Sequence, residues 1–339
     1  MSEGVLVGLS GGVDSALTAR LLLEKDRRVG GLFCLMSDRG RPEYEDAKRV
    51  AGHLGIPLFL ADLRREFKEK VLEPFAALYA AGETPNPCVL CNPRVKFAAL
   101  CREADAHGYE KIATGHYALL GEKDGRVFPK KSPVKDQSYM LSQLPQEVLR
   151  RAVFPLGGQE KALTRVLAEQ AGIPVARKKD SQDLCFTSLS AEEYLRPLLP
   201  SCLPGNFILR ETGKPVGRHR GIFAYTIGQR KNLGVALGRP CYVEKILPRE
   251  NEVILSFEDP YAERARVRNP VWQKRLFVPG ESFEAGVRVR SAGGEARARV
   301  LVDAGGAELF FEKPVRAVTP GQAAVFYEGE DCLGGGFFV

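Results

Sequence analysis

The chain has 339 residues, of which 44% are hydrophobic and 27% charged, and its formal net charge is +7. This composition is typical of a globular protein, and the length suits two or three domains. The sequence contains no apolar run of about 18 residues, and its first residues lack the basic-then-apolar pattern of a signal peptide. We therefore expect no membrane span and a cytosolic location, and the positive charge favours a polyanionic partner.

Cysteine usage narrows the class further. Eight cysteines in a chain of 339 residues are too few for a disulfide scaffold. In a reducing compartment such thiols stay free unless they are catalytic, redox-active or bound to metal.

The first half of the chain predicts a parallel sheet between helices. Strand patterns and helix patterns alternate, in the order strand 4–10, helix 13–25, strand 29–36, helix 42–54, strand 56–62, helix 64–81, helix 93–106 and strand 110–115. The segment between the last two helices is expected to be a loop that carries two cysteines. Strands separated by helices of this length form parallel, doubly wound α/β sheets, whose ligands lie beyond the carboxyl ends of the strands.

Near residue 200 the pattern changes to short alternating runs separated by turn residues, which is typical of β-rich domains and small barrels. The runs are NFILRE (206–211), FAYTIGQ (223–229), CYVEKIL (241–247), NEVILSF (251–257), FEAGVRVRSA (283–292), ARARVLVDA (296–304), AELFFEK (307–313) and AAVFYEGEDCLGGGFFV (323–339). We predict an α/β domain over 1–200, a small β-rich domain over 201–262 and a C-terminal β-barrel over 263–339.

The junction of the first strand and first helix reads GLSGGVDSA (8–16). Its adjacent glycines allow close approach to an anion, and the N–H groups at the helix start supply donors and a positive dipole end. Ser10 and Ser15 add hydroxyl donors, while Asp14 is expected to hold Mg²⁺ or to orient the loop. Neither common nucleotide pattern, G-x-x-x-x-G-K-[ST] or G-x-G-x-x-G, is present here. The alternative is a glycine-rich turn without a ligand.

A resemblance follows from several motifs taken in order. They are SGGVDS (10–15), TPNPCVLCNPRVKF (84–97), IATGHYA (112–118), KDQSYML (135–141), KKDSQDLCF (178–186), YTIGQRKNLGV (225–235) and AVTPGQAAVFYEGEDCLGGG (317–336). The first resembles the pyrophosphate loop of the N-type ATP pyrophosphatases, which have an adenine nucleotide alpha-hydrolase-like fold. Together, from about residue 4 to the C-terminus, they resemble the tRNA-specific 2-thiouridylase family.

The resemblance implies a reaction, two cofactors and two partners. The family replaces O2 of the wobble uridine of certain tRNAs by sulfur, using ATP and Mg²⁺, with a protein persulfide carrier or sulfide as sulfur donor. It implies ATP contacts at Gly8, Leu9, Ser10, Gly11, Gly12, Val13, Asp14, Ser15, Cys34 and Gly115. It implies tRNA contacts at Asn86, Pro87, Cys88, Lys135, Asp136, Gln137, Arg290 and Ser291.

Two of these positions depart from the family pattern, in addition to Cys88. Cys34 stands where the family usually has a methionine, so it either contacts the nucleotide or is a buried strand cysteine. Ser291 stands where the family has an aromatic residue after the arginine.

Three cysteines leave the sulfur chemistry open. By resemblance, Cys91 is the catalytic cysteine and Cys185 carries the persulfide, whereas Cys88 replaces an aspartate of better-known members. One hypothesis is that all three hold a [4Fe–4S] cluster with one open iron. A second is persulfide chemistry that ends in a Cys91–Cys185 disulfide, and a third is an inert pair. Neighbouring cations expected to favour thiolates are Arg94, Lys96, Lys178 and Lys179.

Other classes remain as alternatives at this point. They are an amide-forming ATP pyrophosphatase acting on a small metabolite, a non-catalytic RNA-binding protein and a metal-bound redox protein. Clustered basic residues at 210–231, with further arginines in the tail, favour a macromolecular polyanion. The remaining cysteines are expected in buried cores: Cys101, Cys202, Cys241 and Cys332.

Overall fold

A computed structural model describes residues 3–179, 185–187 and 189–339 of the chain. Strands of the N-terminal half are β1 (Gly4–Gly8), β2 (Arg28–Leu35), β3 (Leu58–Asp62), β4 (Lys111–Ala113), β5 (Leu119–Lys123), β6 (Arg126–Lys130) and β7 (Ala152–Val153). The α-helices are α1 (Val13–Leu23), α2 (Arg41–Leu54), α3 (Arg64–Phe67), α4 (Glu73–Ala80), α5 (Pro87–Cys91), α6 (Phe97–Ala106), α7 (Gln146–Leu149), α8 (Lys161–Gln170) and α9 (Ala191–Leu195).

Shorter helical turns and the later strands complete the described elements. π-Helical turns join α3 to α4 (Lys68–Leu72) and α5 to α6 (Asn92–Lys96), and 3₁₀ turns lie at Asp38–Gly40, Ser138–Leu141, Arg196–Leu198 and Ile222–Ala224. The later strands are β8 (Asn206–Leu209), β9 (Lys214–Arg218), β10 (Tyr242–Leu247), β11 (Glu252–Ser256), β12 (Tyr261–Trp272), β13 (Ser282–Arg288), β14 (Glu295–Asp303), β15 (Gly306–Arg316), β16 (Ala323–Glu328) and β17 (Asp331–Phe338).

The N-terminal sheet is parallel and has helices on both faces. Its strand order is β3-β2-β1-β4-β7, and each neighbouring pair runs parallel. Along β1, Val5 and Val7 pack in one core cluster with α1, α2 and α8, whereas Leu6 packs in a second cluster with α6. Burial on both faces explains the continuous apolar runs of these strands. The predicted doubly wound α/β fold is confirmed.

Two β-rich sheets follow in the chain. The first has the order β10-β11-β8-β9. In the second, the antiparallel strands β12-β15-β14-β13-β16-β17 form a ring that the pairing of β12 with β17 closes. The hairpin β5–β6 of the N-terminal domain extends this sheet, because Lys130 of β6 pairs with Asp331 of β17. The predicted C-terminal barrel is confirmed, while the predicted domain boundaries stay predictions.

The run at 223–229 is not the strand that its alternation predicted. It forms the 3₁₀ turn Ile222–Ala224 followed by an irregular segment. Glycines at both ends have positive φ, +116° at Gly221 and +81° at Gly228, and this conformation interrupts an extended strand. The apolar alternation reflects burial of a turn, with Tyr225 only 2% exposed.

The sequence pattern did not predict β12 or the hairpin β5–β6, each for a different reason. β12 reads YAERARVRNPVW, in which charges and Pro270 hide the extended conformation. The hairpin β5–β6 lies within the α/β half, where its short strands lack an apolar run. No helix within the described ranges is long and apolar enough to cross a membrane.

His219 directly follows β9, in the sheet β10-β11-β8-β9, and is buried there as a neutral imidazole. Its Nδ1 accepts hydrogen bonds from the N–H groups of Gly205 (3.3 Å) and Gly221 (3.1 Å), and its Nε2 lies 3.0 Å from the carbonyl oxygen of Asn251. Because Nδ1 accepts, Nε2 carries the proton and donates it to that carbonyl. Burial lowers the pKa of His219 below 6.5.

This arrangement predicts acid sensitivity. A lowered pKa in the folded state stabilises the fold above the unfolded pKa of about 6.5, and that stability is lost as the pH falls. We expect the unfolding temperature to drop between about pH 7 and pH 5, with a contribution from His219 of up to about 1.4 kcal/mol per pH unit. His219→Gln retains a hydrogen-bond acceptor but cannot bind the proton. In thermal melts its unfolding temperature should therefore fall less between pH 7 and pH 5 than that of wild type, because one proton fewer is bound on unfolding. An identical pH dependence in both proteins would contradict the assignment.

Candidate active site

The glycine loop between β1 and α1 is closely packed against two neighbouring segments. Gly11 has φ of +70°, and a Cβ atom there would lie 2.3 Å from the carbonyl oxygen of Glu43. Gly115, after β4, approaches the first turn of α1 so closely that a Cβ atom would lie 2.9 Å from Asp14 and 3.0 Å from the nitrogen of Ser15. Only glycine fits either position, so the loop and the end of β4 form one surface.

The start of α1 has the features of an anion site. Its N-cap is Gly12, and no side chain caps the first turn. Ser15 Oγ donates to the carbonyl oxygen of Gly12 at 3.0 Å, accepts from the N–H of Ser10 at 3.1 Å and lies 3.2 Å from Ser10 Oγ. The loop is thereby held open around a helix N-terminus, where N–H groups and the helix dipole favour a phosphate.

Asp14 is held by two side chains that the sequence analysis missed. Lys161 of α8 donates to Asp14 Oδ1 at 2.6 Å, and the hydroxyl of Tyr117 donates to the same oxygen at 2.8 Å. Tyr117 lies within the IATGHYA motif, but nothing in the pattern around Lys161 distinguishes it from other helix-start lysines. These contacts fix the Asp14 carboxylate and place the Lys161 ammonium beside the loop, while both roles predicted for Asp14 stay predictions.

Lys178 belongs to this loop and not to the thiols. Its ammonium group donates to the carbonyl oxygen of Gly11 at 3.3 Å and to Asp46 Oδ2 at 2.6 Å. The expectation that Lys178 activates Cys185 is therefore corrected, because Gly11 and Asp46 bind its ammonium group, and Lys96 is the cation that acts on the Cys185 thiol.

The cysteine pair lies at the start of a helix and not in the predicted loop. α5 begins at Pro87, whose missing N–H is not needed at that position, and the side chain of Asn86 accepts a hydrogen bond from the N–H of Cys88 at 3.0 Å. Cys88 is exposed, whereas Cys91, one turn later on the same side, is buried. The π-helical turn that follows widens the helix at this point, as is frequent at functional sites.

Lys96, the last residue of the π-helical turn, is the cation of the thiol site. Charge interactions link it to Cys34, Cys88, Cys91 and Cys185. Burial alone would lower the pKa of Lys96, but the sulfur groups, Cys91 first among them, raise it. Lys96 thus lies within electrostatic range of the three predicted cysteines and of a fourth, Cys34.

Strand alternation explains the position of Cys34. Cys34 and Met36 pack against the core cluster that contains Cys91, whereas Phe33 packs against the opposite cluster. Met36 follows β2, and its sulfur lies 3.9 Å from Cys91 Sγ. The predicted contact of Cys34 with the nucleotide stays a prediction.

Burial keeps these thiols protonated in the resting protein. It raises the pKa of Cys91 to about 11 and that of Cys34 to about 12, with Lys96 acting in the opposite direction on both. Cys185 is an exposed residue, yet the protein around its sulfur still raises the pKa of its thiol. Reaction therefore requires a change that stabilises sulfur anions in this site.

The described residues contain no group of three or more His, Cys, Asp or Glu side chains placed to hold a metal ion. Cys88, Cys91 and Cys185 are themselves described residues, so as placed they do not form a metal site, whereas residues 180–184 and 188 lie outside the description. Three soft thiolates suit iron by donor chemistry, so the cluster hypothesis stays a prediction, as does the Mg²⁺ site. Among the remaining cysteines, Cys241 and Cys332 are buried, whereas Cys101 and Cys202 are half-buried.

Residues predicted to contact tRNA also make contacts within the protein. Asp136 forms an ion pair with Arg288 of the barrel at 2.5 Å. Gln137 Oε1 accepts from the N–H of Tyr117 at 2.9 Å, and the Lys135 ammonium lies 5.1 Å from the centre of the Tyr117 ring. Their roles toward tRNA stay predictions.

Arg290, which follows β13, binds both the irregular segment after the Ile222–Ala224 turn and the segment after β15. Its Nη2 donates to the carbonyl oxygens of Ile227 and Ala317 and to Thr319 Oγ1, each at 3.2 Å. Ser291 is exposed beside it. The predicted contact of both residues with tRNA is likewise untested.

Comparison with known sequences identifies the family. The chain is 40% identical to tRNA-specific 2-thiouridylase MnmA of Syntrophotalea carbinolica, covering 100% of this chain and 99% of that protein. The chain belongs to the tRNA-specific 2-thiouridylase family. Relatives from Moorella thermoacetica, 40% identical over 98% of both chains, and Clostridium tetani, 38% identical over 99% of this chain and 96% of that protein, carry the same enzyme name. The family predicted from the motifs is confirmed.

Domain families match the same chain in three parts. Residues 3–188 match the tRNA methyl transferase HUP domain, residues 192–256 the tRNA methyl transferase PRC-barrel domain and residues 263–338 the aminomethyltransferase beta-barrel domain. The descriptions of these domain families mention methyl transfer. The relatives that match the chain over its whole length are named for thiolation.

Similarity to solved structures is low. The U34-tRNA thiolase NcsA from Methanococcus maripaludis, with its [4Fe-4S] cluster, is 17% identical with a TM-score of 0.38 over 59% of this chain and 66% of that chain. NMN synthetase from Francisella tularensis is 15% identical with a TM-score of 0.37 over 59% of this chain and 78% of that chain. Neither similarity supports an argument about ligands or reaction in this chain.

The raised pKa of Cys91 predicts a pH-dependent reactivity. Alkylation by iodoacetamide should remain slow near neutral pH and should accelerate as the pH approaches about 11. Lys96→Met should shift the curve to still higher pH, because the lysine lowers the pKa of this thiol. Peptide mass spectrometry measures each cysteine separately, and Cys101, whose pKa does not depend on Lys96, is the internal control. A wild-type curve that levels off below pH 9 would contradict this electrostatic assignment.

Proposed function

We propose that this chain catalyses ATP-dependent 2-thiolation of the wobble uridine of tRNA. The observation that carries the proposal is the contact between Cys91 and Met36, whose sulfur atoms lie 3.9 Å apart. Met36 directly follows β2, and β2 pairs in parallel with β1, whose end leads into the glycine loop. Adjacent strands lie about 5 Å apart, so the thiol site and the anion site share one edge of the sheet.

The first half of the proposed reaction is adenylation. O2 of the uridine attacks the α-phosphorus of ATP, the bond to the β-phosphate oxygen breaks and pyrophosphate leaves. The N–H groups at the start of α1, together with Ser10 and Ser15, bind the pyrophosphate oxygens, while Lys161 adds positive charge beside the loop. Mg²⁺, when bound through Asp14, would neutralise charge on the phosphates.

The second half replaces the activated oxygen. Hydrosulfide attacks C2 of the uridine, the C2–O2 bond breaks and AMP leaves with that oxygen. A protonated Lys96 beside the thiols favours the presence of sulfur anions at this site. The basic residues of the β-rich domains fit the phosphates of tRNA, although some are already paired, such as Arg210 with Glu258 at 2.6 Å and Arg220 with Glu192 at 3.1 Å.

Two routes supply the sulfur. In the one we favour, Cys88, Cys91 and Cys185 hold a [4Fe–4S] cluster, which would supply an open iron for binding hydrosulfide. In the other, the Cys91 thiolate attacks the inner sulfur of a Cys185 persulfide. The Cys91–Cys185 disulfide then forms, hydrosulfide leaves, and an external thiol must later return two electrons. The exposure of Cys88 next to the charged group of Lys96 argues against an inert pair.

The adenylation proposal predicts AMP formation that depends on tRNA. Asp14→Ala and Ser10→Ala should abolish AMP formation while tRNA binding persists, because both residues shape the phosphate loop. Glu24→Ala, at the exposed end of α1, is the matched control and should retain activity. Mass spectrometry of the wobble nucleoside separates a replaced oxygen from an added methyl group.

Several outcomes would reject this function. They are wild-type protein without tRNA-dependent AMP, product that carries a methyl group, or normal AMP release by both loop variants. An amide-forming synthetase would release AMP without tRNA, and a non-catalytic RNA-binding protein or a redox protein would release none.

The sulfur routes separate at Cys88. If a cluster is bound, anaerobically reconstituted protein should hold about four irons, and Cys88→Ala should lose iron and thiolation together while it still binds ATP. If a persulfide operates, Cys88→Ala should thiolate tRNA with a persulfide donor and no iron. Cys88→Asp alone is ambiguous because carboxylates also bind iron. Full thiolation by iron-free wild type would exclude the cluster route, and Cys202→Ala controls for loss of a thiol elsewhere.

A further inference from the structure

The thiol helix is α5, which carries Cys88 and Cys91. The segment that leads into it is bound by residues from outside the N-terminal domain. Thr84 is the centre of these contacts. Its N–H donates to the carbonyl oxygen of Pro320 at 2.8 Å, and its own carbonyl oxygen accepts from Gln322 Nε2 at 2.5 Å. Its hydroxyl lies 3.1 Å from the hydroxyl of Thr226. The barrel and the central β-rich domain thus occupy every polar group of one residue.

An ion pair next to Thr84 strengthens the same attachment. Arg268 of β12 binds Glu83 through its two terminal guanidinium nitrogens, with Nη1–Oε1 at 3.0 Å and Nη2–Oε2 at 2.5 Å. Both side chains are largely buried, with 33% of Arg268 and 16% of Glu83 exposed. Two parallel charge-assisted hydrogen bonds fix orientation as well as distance.

Close packing leaves this attachment little freedom. Gly321 has φ of +86°, and a Cβ atom there would lie 2.9 Å from Glu83 Cβ and 3.0 Å from the nitrogen of Thr84. The turn that carries Gly321 is itself held by Arg290 through Ala317 and Thr319. The barrel therefore presents a rigid turn, and not a flexible loop, to the residues before the thiol helix.

The connection from Thr84 to Cys88 is stiff. Pro85 and Pro87 are both buried, and each proline fixes its own φ near −65°. Asn86 between them caps the helix through its hydrogen bond to the N–H of Cys88. A displacement of Thr84 is therefore passed on to Cys88 with few rotatable bonds to absorb it.

We propose that the C-terminal barrel sets the position of the thiol helix, and that Gln322 and Arg268 are positioning residues for sulfur transfer. They touch neither ATP nor the thiols, and act through Thr84 and Glu83. This inference rests on the function proposed above. It assigns adenylation to the N-terminal domain alone and makes sulfur transfer depend on the barrel.

The test compares the two half-reactions in full-length protein. Gln322→Ala and Arg268→Ala should still release AMP in the presence of tRNA, within about twofold of wild type. The yield of thiolated uridine per AMP should fall by about tenfold or more, since misplacement by about 1 Å costs up to about a hundredfold. The uncoupled adenylate is lost to water. Arg268→Lys keeps the charge but loses the paired hydrogen bonds and should fall between wild type and Arg268→Ala.

Arg266→Ala is the matched control. Arg266 lies on the same strand and forms an ion pair with Asp303 at 2.9 Å. Among the described residues it has no hydrogen bond or ion pair with residues 83–86, which precede the thiol helix. Its yield per AMP should equal that of wild type. A second measurement, the alkylation rate of Cys88, should change in Gln322→Ala and not in Arg266→Ala.

The outcomes separate this inference from the proposed function. An unchanged yield per AMP in Gln322→Ala and Arg268→Ala, or an equal loss of AMP and thiolated uridine, would overturn the positioning role while the reaction itself stands. A wild type that forms no AMP with tRNA would overturn the proposed function and this inference with it. Retained AMP with a reduced thiolation yield supports both.

Discussion

Parallel pairing of β1 with β2 on one side and β4 on the other brings three strand ends to one edge of the sheet. Each end carries a different part of the candidate site: the glycine loop after β1, Met36 after β2 and Gly115 after β4. Antiparallel neighbours would place these groups at opposite edges, one strand length apart. The proposed chemistry, in which one uridine meets a phosphate and a sulfur in turn, depends on this shared direction.

Much of the fold was predictable because the spacing of apolar residues within each strand or helix is a local property of the sequence. Alternating apolar strands and helices in the first half gave the parallel sheet, and the turn-rich tail gave the barrel. Residues 223–229 mislead because their alternation reflects burial of a turn, with Gly221 and Gly228 at positive φ. The sequence did not predict β12 because arginines interrupt its apolar pattern. Its place in the barrel depends on pairing with β17, which lies far along the chain.

The candidate site was predictable where motif and geometry coincide, and less so where tertiary contacts decide. The glycine loop has a local cause, since its shape depends on adjacent residues. Lys161 reaches Asp14 from a helix far along the chain, and no spacing rule announces that contact. The π-helical turn after Cys91 likewise has no sequence signature, although it determines where Lys96 enters the thiol site.

The hairpin β5–β6 joins the N-terminal domain to the barrel. Lys130 pairs with Asp331, and Arg126 donates to the carbonyl oxygens of Trp272 and Gln273 at 2.7 Å and 2.9 Å. During synthesis β5 and β6 emerge long before β17, so the backbone edge of β6 stays unpaired until β17 has been made. Completion of this sheet thus waits for β17, and removal or exchange of the barrel would leave β6 as an open edge strand on the N-terminal domain.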